Sequence, residues 1–491
     1  MKWTNEARYQ PYEKWGNDYL RKLESKVKEA KWRLDFHIQP KTGLLNDPNG
    51  FTFFNNQWHL FYQFFPFGPV HGLKSWYHIV SDDLIHWHPE GIAIKPDTYY
   101  DSHGVYSGSA LPIGDKLFLA YTGNMRDETW QRGSYQMGAW MDQESNITKI
   151  EKPLINQIPK GITEHFRDPQ VIKYNKHYLM FIGAQTTNKQ GEVLVYQSDN
   201  LLDWKINGSL DFNQESMGYM IECPNMVFFD KQPVLIFCPQ GLDKKVTDYQ
   251  NIYPNFYIVG ENYDHERCKI NHVQDLMLLD EGFDLYATQA FTAPDGRCLS
   301  IGWIGLPEME YPTFKDGWAH CLSLVKELKL INGELYQNPV TEMKALRKEN
   351  KKVVINDKVI TLEGTENSYE LQIRVPSNSI GHMEFYANKK RDHFLCLEFD
   401  TGKGKLTLDR SRTFNPINLE YGIERTIELK KNEELYLTIF VDQSVCEIFI
   451  NNGQKVMTTT YYPEQDQNNV YLEGDKHYLV EYYPLRKTTE Q

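Results

Sequence analysis

FRDPQVIKYNKHYLMFIGA (residues 166–184) has a polar opening, an apolar strand, a Tyr174-Asn175-Lys176 turn and an alternating second strand. That order of signals is a β-hairpin. Four other phrases repeat it. LLNDPNGFTFFNNQWHLFYQF (44–64) turns at Asn55-Asn56, and VYSGSALPIGDKLFLAYTGN (105–124) turns at Gly114-Asp115. IECPNMVFFDKQPVLIFCPQG (221–241) turns at Asp230-Lys231, and YATQAFTAPDGRCLSIGWIG (286–305) at Pro294-Asp295-Gly296. Asp47, Ser107, Asp168, Glu222 and Gln289 hold equivalent places, at spacings of 60, 61, 54 and 67 residues. Five β units at a period of about 50–60 residues indicate radial repetition, a five-bladed β-propeller. An ordinary sandwich with look-alike hairpins is the competing arrangement.

On either side of the repeats the pattern changes. NDYLRKLESKVKEAK (17–31) places Leu20, Leu23 and Val27 at helical spacing. VTEMKALRKEN (340–350) follows Pro339 and reads as a short helix. Beyond Lys351 come alternating strands, among them SYELQIRVP (368–376) and HYLVEYYPL (477–485), with Asn451-Asn452-Gly453 as a hairpin turn. The expected fold is all-β, a five-bladed β-propeller followed by a C-terminal β-sandwich. Its parts are an N-terminal helical extension over 1–32, the propeller over 33–335, a linker helix over 336–350 and the sandwich over 351–491.

The chain has 491 residues, 41% hydrophobic and 24% charged, which suits a globular protein of more than one domain. Its net charge is −13, from 53 basic and 66 acidic residues. Nucleic acid and anionic membranes are therefore excluded as main partners, since both demand clustered Lys and Arg. A local basic pocket for a small anion remains compatible with an acidic protein. Aromatic residues reach 14%, which suits both a β-rich core and sugar stacking. No run of 18 apolar residues exists, and the first 15 residues lack the apolar core of a secretory signal. The seven cysteines are scattered and form no C-x-x-C pair, so the expected compartment is the reducing cytoplasm.

A propeller brings equivalent positions of its blades to one end of a central channel. Three of the five openings are acids, namely Asp47, Asp168 and Glu222, so they are expected to meet in one funnel. Like charges gathered in a partly desolvated pocket raise each other's pKa. Folding gains nothing from that, and a functional site does. Asp47 sits in the tight Asn46-Asp47-Pro48-Asn49-Gly50 turn. Asp168 follows Arg167. Glu222, between Met220-Ile221 and Cys223-Pro224, is expected in apolar surroundings that favour its protonated form, as a general acid requires; pairing to a nearby Arg is the alternative. Other signals are weaker. Ser107 is not within G-x-S-x-G. His86 and His88 share a strand face without a third ligand, so no metal site is expected. No Gly-rich phosphate loop is present.

The combination of motifs resembles glycoside hydrolase family 32, the β-fructofuranosidases. The residues carrying the resemblance are LNDPNG (45–50), FYQ (61–63), HGLKSWYH (71–78), YSGSA (106–110), YTGN (121–124), FRDP (166–169), ECPN (222–225), GFDLYATQ (282–289), GWAHCLSLVKEL (317–328) and DQSVCEIFINNG (442–453). Within the family the chain is most similar to bacterial enzymes acting on sucrose 6-phosphate. The resemblance implies a retaining mechanism with Asp47 as nucleophile, Glu222 as acid/base and Asp168 as the acid that holds fructose hydroxyls. It also implies fructose contacts from Asn46, Gln63, Tyr106, Ser107 and Arg167, with Trp76 as a pocket wall or a core residue. No cofactor and no metal are implied, since the chemistry is carboxylate chemistry. Two positions depart from the pattern. Leu44 stands where many relatives carry Trp, and Asn225 stands where ECP is often followed by Asp, which would make a partner of Glu222 neutral.

The implied reaction cleaves sucrose 6-phosphate to glucose 6-phosphate and fructose, after phosphorylating sugar uptake. The phosphate needs positive charge near the funnel rim, for which His71, Lys74, Arg126 and Arg132 are candidates. The partner is then a small phosphorylated disaccharide. Plain sucrose or short fructo-oligosaccharides are the alternative substrates, since rim charge serves either. A non-catalytic sugar-binding propeller is the remaining alternative, and three converging acids argue against it.

Overall fold

The computed structural model describes residues 2–213, 216–349 and 351–488. Among these residues five sheets follow one another along the chain, each built on four antiparallel strands, with a short two-residue strand added to the first and the last. Their first strands are Gly43–Phe54, Val105–Ile113, Ile162–Tyr174, Met220–Phe229 and Leu285–Thr292. These are the first strands of the five repeated phrases, and each turns back into its second strand where the Asn, Gly, Asp and Pro signals stand. At the first of these turns Asn55 and Asn56 both have positive φ (47° and 60°), as a two-residue hairpin loop requires. The propeller is thus five blades of four strands. Trp318–Ala319 lies parallel to Gly43-Leu44, so the chain of the fifth blade closes the ring on the first. The fifth blade's outer strand runs Glu334–Pro339, past the expected end at 335.

The first strands circle one axis and are stitched to each other by a ring of buried polar side chains. Asn49 accepts from the Gly108 N–H at 2.9 Å, Ser109 donates to the Pro169 carbonyl at 3.0 Å, and Gln170 donates to the Met226 carbonyl at 2.9 Å. Asn225 accepts from the Ala290 N–H at 2.9 Å, and Gln289 accepts from the Phe51 N–H at 3.0 Å, which closes the circle. Each blade therefore hands one side chain to the next. Burying an amide or hydroxyl is tolerable only when it is paired, and here the partner is always a neighbouring blade's backbone.

After the fifth blade the chain makes a short 3₁₀ helix at Thr341–Leu346, within the stretch 340–350 read as a short helix; Asn350 lies outside the described residues. The C-terminal strands form one sheet folded on itself. Its fold line is the strand Asn469–Pro484. One edge of that strand pairs with Val353–Leu362 along its length. Its other edge is divided: the first half pairs with Ile380–Ala387 and the second with Ser368–Val375. The two leaves enclose an apolar core that includes Leu371, Phe385, Leu397 and Ile448. The strand Ile380–Ala387 was not among those read from the sequence, whose clearest alternation lies elsewhere. The sandwich reading to 491 and the extension reading from 1 include residues 489–491 and 1, which lie outside the described residues.

A fully buried charge network locks the sandwich to the propeller. Asp442 accepts the backbone N–H groups of Asp35, Phe36 and His37, at 2.6, 2.9 and 2.8 Å. The His37 ring bridges Asp442 (2.8 Å) and Glu447 (3.0 Å), and Glu447 also pairs with Lys326 of the fifth blade at 3.0 Å. The DQSVCE stretch of the second domain is therefore a clamp between domains. At the other end of the chain, the extension forms the short helix Asn5–Arg8 and the helix Asn17–Lys28. The second ends at Lys28, three residues short of the expected 31.

Candidate active site

In every first strand the register slips by a β-bulge at the same level. The slips fall between Leu45 and Pro48, Val105 and Gly108, Arg167 and Gln170, Glu222 and Asn225, and Tyr286 and Gln289. A bulge turns a side chain off the strand's regular face. Here four of the five bulges aim Asp47, Ser107, Asp168 and the Glu222-Cys223 pair into one mouth of the channel, and the fifth follows Tyr286. The backbone is strained at these points. Asp168 has φ +67° and Cys223 +49°, the left-handed region that non-glycine residues avoid. Hydrogen bonds hold the strain in place. The Thr122 hydroxyl accepts the Asp168 N–H at 3.0 Å, and the Asp168 carboxylate accepts the Cys223 N–H at 3.0 Å.

Asp47 is oriented on both oxygens. Asn46 donates to Oδ1 at 2.9 Å, and the Ser107 hydroxyl donates to Oδ2. Gln63 bridges the two supports, accepting from Asn46 at 3.1 Å and donating to the Ser107 oxygen. The Cys223 thiol lies 3.6 Å from Asp47 and 3.7 Å from Asp168, which sets these two acids side by side. Burial raises the Asp168 carboxyl to about 7. Arg167 opposes that rise, while Glu222 and Asp47 add to it.

Glu222 departs from the expected apolar setting. Its Oε1 accepts two bonds from Arg167, at 3.1 and 2.6 Å. Its Oε2 accepts from Gln240 at 2.8 Å and from the Tyr286 hydroxyl at 2.7 Å. The alternative reading, pairing to a nearby Arg, is the one the fold realises. Arg167 in turn is braced by the His165 ring at 3.0 Å. Asn225 is not a partner of Glu222, neutral or otherwise, because its side chain serves the inter-blade ring.

Trp76 is fully buried, packs on Phe61 and Tyr121, and donates its indole N–H to the Tyr106 carbonyl at 3.0 Å. It supports the wall from behind and forms no pocket surface. Leu44 is likewise a core residue. The rings of Trp303, His320 and His71 lie together, with Trp303 5.1 Å from His320 and 6.1 Å from His71. Trp303 also stands edge-on to Tyr286.

Of the four rim cations, three gather round Tyr106. The Lys74 ammonium lies 5.4 Å from its ring, and the Arg132 guanidinium 5.9 Å. Arg126 faces Arg132 across a strand pair and lies 5.9 Å from the Trp130 ring. Lys74 is not at the outer rim but buried, within the field of all three acids. Burial alone would raise the Tyr106 phenol, but Arg132, Lys74 and Arg126 outweigh it and hold the group below its usual value. His71 sits apart from Tyr106, beside Lys74 and Trp303, where burial drives its imidazole well below the usual range.

Gln240, Tyr286 and Trp303 were not among the candidates. A signal for Gln240 existed: the second strands of four phrases carry an amide at or near their ends, at Gln63, Asn124, Gln185 and Gln240. Tyr286 lies in a quoted motif, but nothing local distinguishes it from a core tyrosine.

A propeller whose channel mouth holds three carboxylates, two of them side by side, braced by amides, hydroxyls and an arginine, is the architecture of a glycoside hydrolase. The chain belongs to glycosyl hydrolases family 32: the family's N-terminal domain matches residues 37–339 and its C-terminal domain residues 342–480. It is 47% identical to a sucrose-6-phosphate hydrolase of Pediococcus pentosaceus, over 97% of this chain and 95% of that one. It is 44% identical to a sucrose-6-phosphate hydrolase of Streptococcus mutans, over 97% and 98%. Among solved structures, that of sucrose-6-phosphate hydrolase from Lactobacillus gasseri superposes with a TM-score of 0.97 at 44% identity, over 99% of this chain and 100% of that one. A family 32 β-fructofuranosidase of Bombyx mori gives 0.83 at 29% identity, over 97% and 100%.

Proposed function

We propose that this glycoside hydrolase cleaves sucrose 6-phosphate to glucose 6-phosphate and fructose, with retention at the fructosyl C2. Asp47 is the nucleophile. Its carboxylate attacks C2 while Glu222 delivers a proton to the departing glycosidic oxygen, giving a covalent fructosyl-enzyme and free glucose 6-phosphate. Glu222 then takes a proton from water, which displaces Asp47 and releases fructose. Such a pair works at about 5–5.5 Å, with no room for water between the two carboxyls. Asn46 and Ser107 support this role by fixing both oxygens of Asp47 before substrate arrives. Asp168 holds fructose hydroxyls and places negative charge beside the oxocarbenium-like transition state. Gln63, Tyr106 and Arg167 complete the fructose side.

One observation carries the phosphate. Lys74, Arg126 and Arg132 surround Tyr106, and among the described residues none of the three enters an ion pair. The Nε atoms of Arg126 and Arg132 are buried without any partner. A buried donor left unpaired costs about 1–3 kcal/mol, so the cluster is built for an anion that arrives with the substrate. The relatives named for this substrate support the same reading. A reducing cytoplasm suits the seven cysteines, all of them free.

The test is kcat/KM for sucrose 6-phosphate, sucrose and inulin side by side. A preference of about tenfold or more for the phosphorylated sugar, worth about 1.4 kcal/mol in the transition state, is expected. Equal or faster cleavage of sucrose leaves a fructosidase and removes the phosphate specificity.

A further inference from the structure

The amino-terminal segment before the propeller is packed onto the loop that carries His71 and Lys74. Trp15 stacks on Phe67, with ring centroids 4.5 Å apart and planes within 6°. Tyr12 donates to the Leu73 carbonyl at 2.8 Å, and Tyr19 to the Phe67 carbonyl at 2.7 Å. Leu73 donates its N–H to the Arg8 carbonyl at 2.8 Å, and a side chain at Gly72 would collide with that same oxygen. Segment and loop therefore form one unit. From it, two side chains extend toward the cation cluster.

Tyr9 fills the gap between this loop and the 126–132 hairpin. Its ring stands edge-on to Trp130 at 5.4 Å and lies 5.8 Å from His103. Its phenol neighbours that of Tyr106, within the field of Arg126 and Arg132. Arg8 lies close enough to His71 to act on its charge. Its Nε is buried and unpartnered, as are those of Arg126 and Arg132. Among the described residues no ion pair includes Arg8, and no carboxylate of the segment reaches the cluster. Lys74, Arg126, Arg132 and the phenols of Tyr9 and Tyr106 thus gather from four separate stretches of chain, with Arg8 beside them next to His71, and all three arginines keep an idle buried donor. A multiply charged oxyanion satisfies all of them at once, and a fork-shaped guanidinium is the group best matched to it.

We propose that Arg8 and Tyr9 are ligands of the substrate's phosphate group, so that the segment preceding the propeller is part of the specificity site and not only a brace. This rests on the phosphorylated-substrate reading above. Arg8 supplies a charge-assisted bond, and Tyr9 donates its hydroxyl to a phosphate oxygen. Neither residue touches the fructosyl unit, so neither affects bond cleavage in an unphosphorylated substrate.

The test compares wild type, Arg8→Gln and Tyr9→Phe on sucrose 6-phosphate and on sucrose. Sucrose hydrolysis serves as the internal measure of intact folding, and Tyr9→Phe keeps the ring against Trp130. Arg8→Gln is expected to lower kcat/KM for the phosphorylated sugar by about 10–100-fold, and Tyr9→Phe by about 3–10-fold, with sucrose within about twofold in both. The inhibition constant of inorganic phosphate against sucrose hydrolysis is expected to rise in the same order. A wild type that prefers sucrose 6-phosphate, with variants that keep the preference, overturns the role of Arg8 and Tyr9 alone. Equal losses on both substrates also overturn it, since the segment is then only a brace. A wild type without any preference removes the phosphorylated-substrate reading itself.

Discussion

At the floor of the funnel every charge has a partner, whereas at its rim the charges wait for one. Asp47, Asp168 and Glu222 leave three first strands at the same bulge, and each carboxylate accepts at least one close hydrogen bond from the protein. Arg8, Arg126 and Arg132 come from the extension and a blade-two hairpin, with the buried Lys74 on a blade-one loop between rim and floor, and among the described residues none of the four forms an ion pair. The floor is preorganised, so its geometry is set before substrate binds. The rim keeps idle donors, so its energy is released only when an anion arrives. One region serves chemistry common to any fructoside, and the other discriminates between them.

The largest expected effect breaks the floor. Asp47→Ala removes the nucleophile, and kcat is expected to fall by at least about 10⁴-fold on sucrose and sucrose 6-phosphate alike. Steady-state assays on both substrates check this; a loss confined to one would merge floor and rim. Glu222→Gln keeps the side chain's size but loses the transferable proton and one of the two accepting oxygens, and the expected loss is about 10²–10⁴-fold. That loss shrinks on a fructoside whose leaving group needs no protonation, measured by comparing an activated substrate with sucrose.

Arg132→Ala sharpens the contrast. About 10–100-fold is expected to disappear from kcat/KM for the phosphorylated sugar, with sucrose within about twofold. The smallest effect concerns stability. Asp168 has its carboxyl raised to about 7, chiefly by burial. The folded state then holds this proton more tightly than the unfolded chain, so stability falls as pH rises from the ordinary Asp value through about 7. Asp168→Asn removes that charge. Its melting temperature relative to wild type is expected to be higher at pH 8 than at pH 5, by scanning calorimetry, while activity is lost. An unchanged difference across that range would show that Arg167 fully offsets the burial.

The three acids were legible because two signals coincide at them, a turn-rich motif and a five-fold period. Their surroundings were less so. Glu222 between Met220-Ile221 and Cys223-Pro224 reads as apolar along the chain, yet its partners Arg167, Gln240 and Tyr286 come from three other strands. Asn225 beside the acid reads as its neighbour, but a bulge separates them and sends the amide to the next blade. Trp76, in a motif with His71 and Lys74, reads as a wall and is core. Arg8 and Tyr9 carry no periodic or turn signal at all.

Local pattern in the chain is enough to specify the five hairpins, their ring-forming period and the level at which three carboxylates meet. Those follow from turn residues and alternation, which act over a few residues and repeat. The assembled fold settles which way each bulge aims its side chain and which amides join blade to blade. It also settles how one bent strand folds a sheet into a sandwich, and which cations gather round Tyr106. These depend on closing the ring and docking distant segments, where burial selects partners that no local pattern encodes.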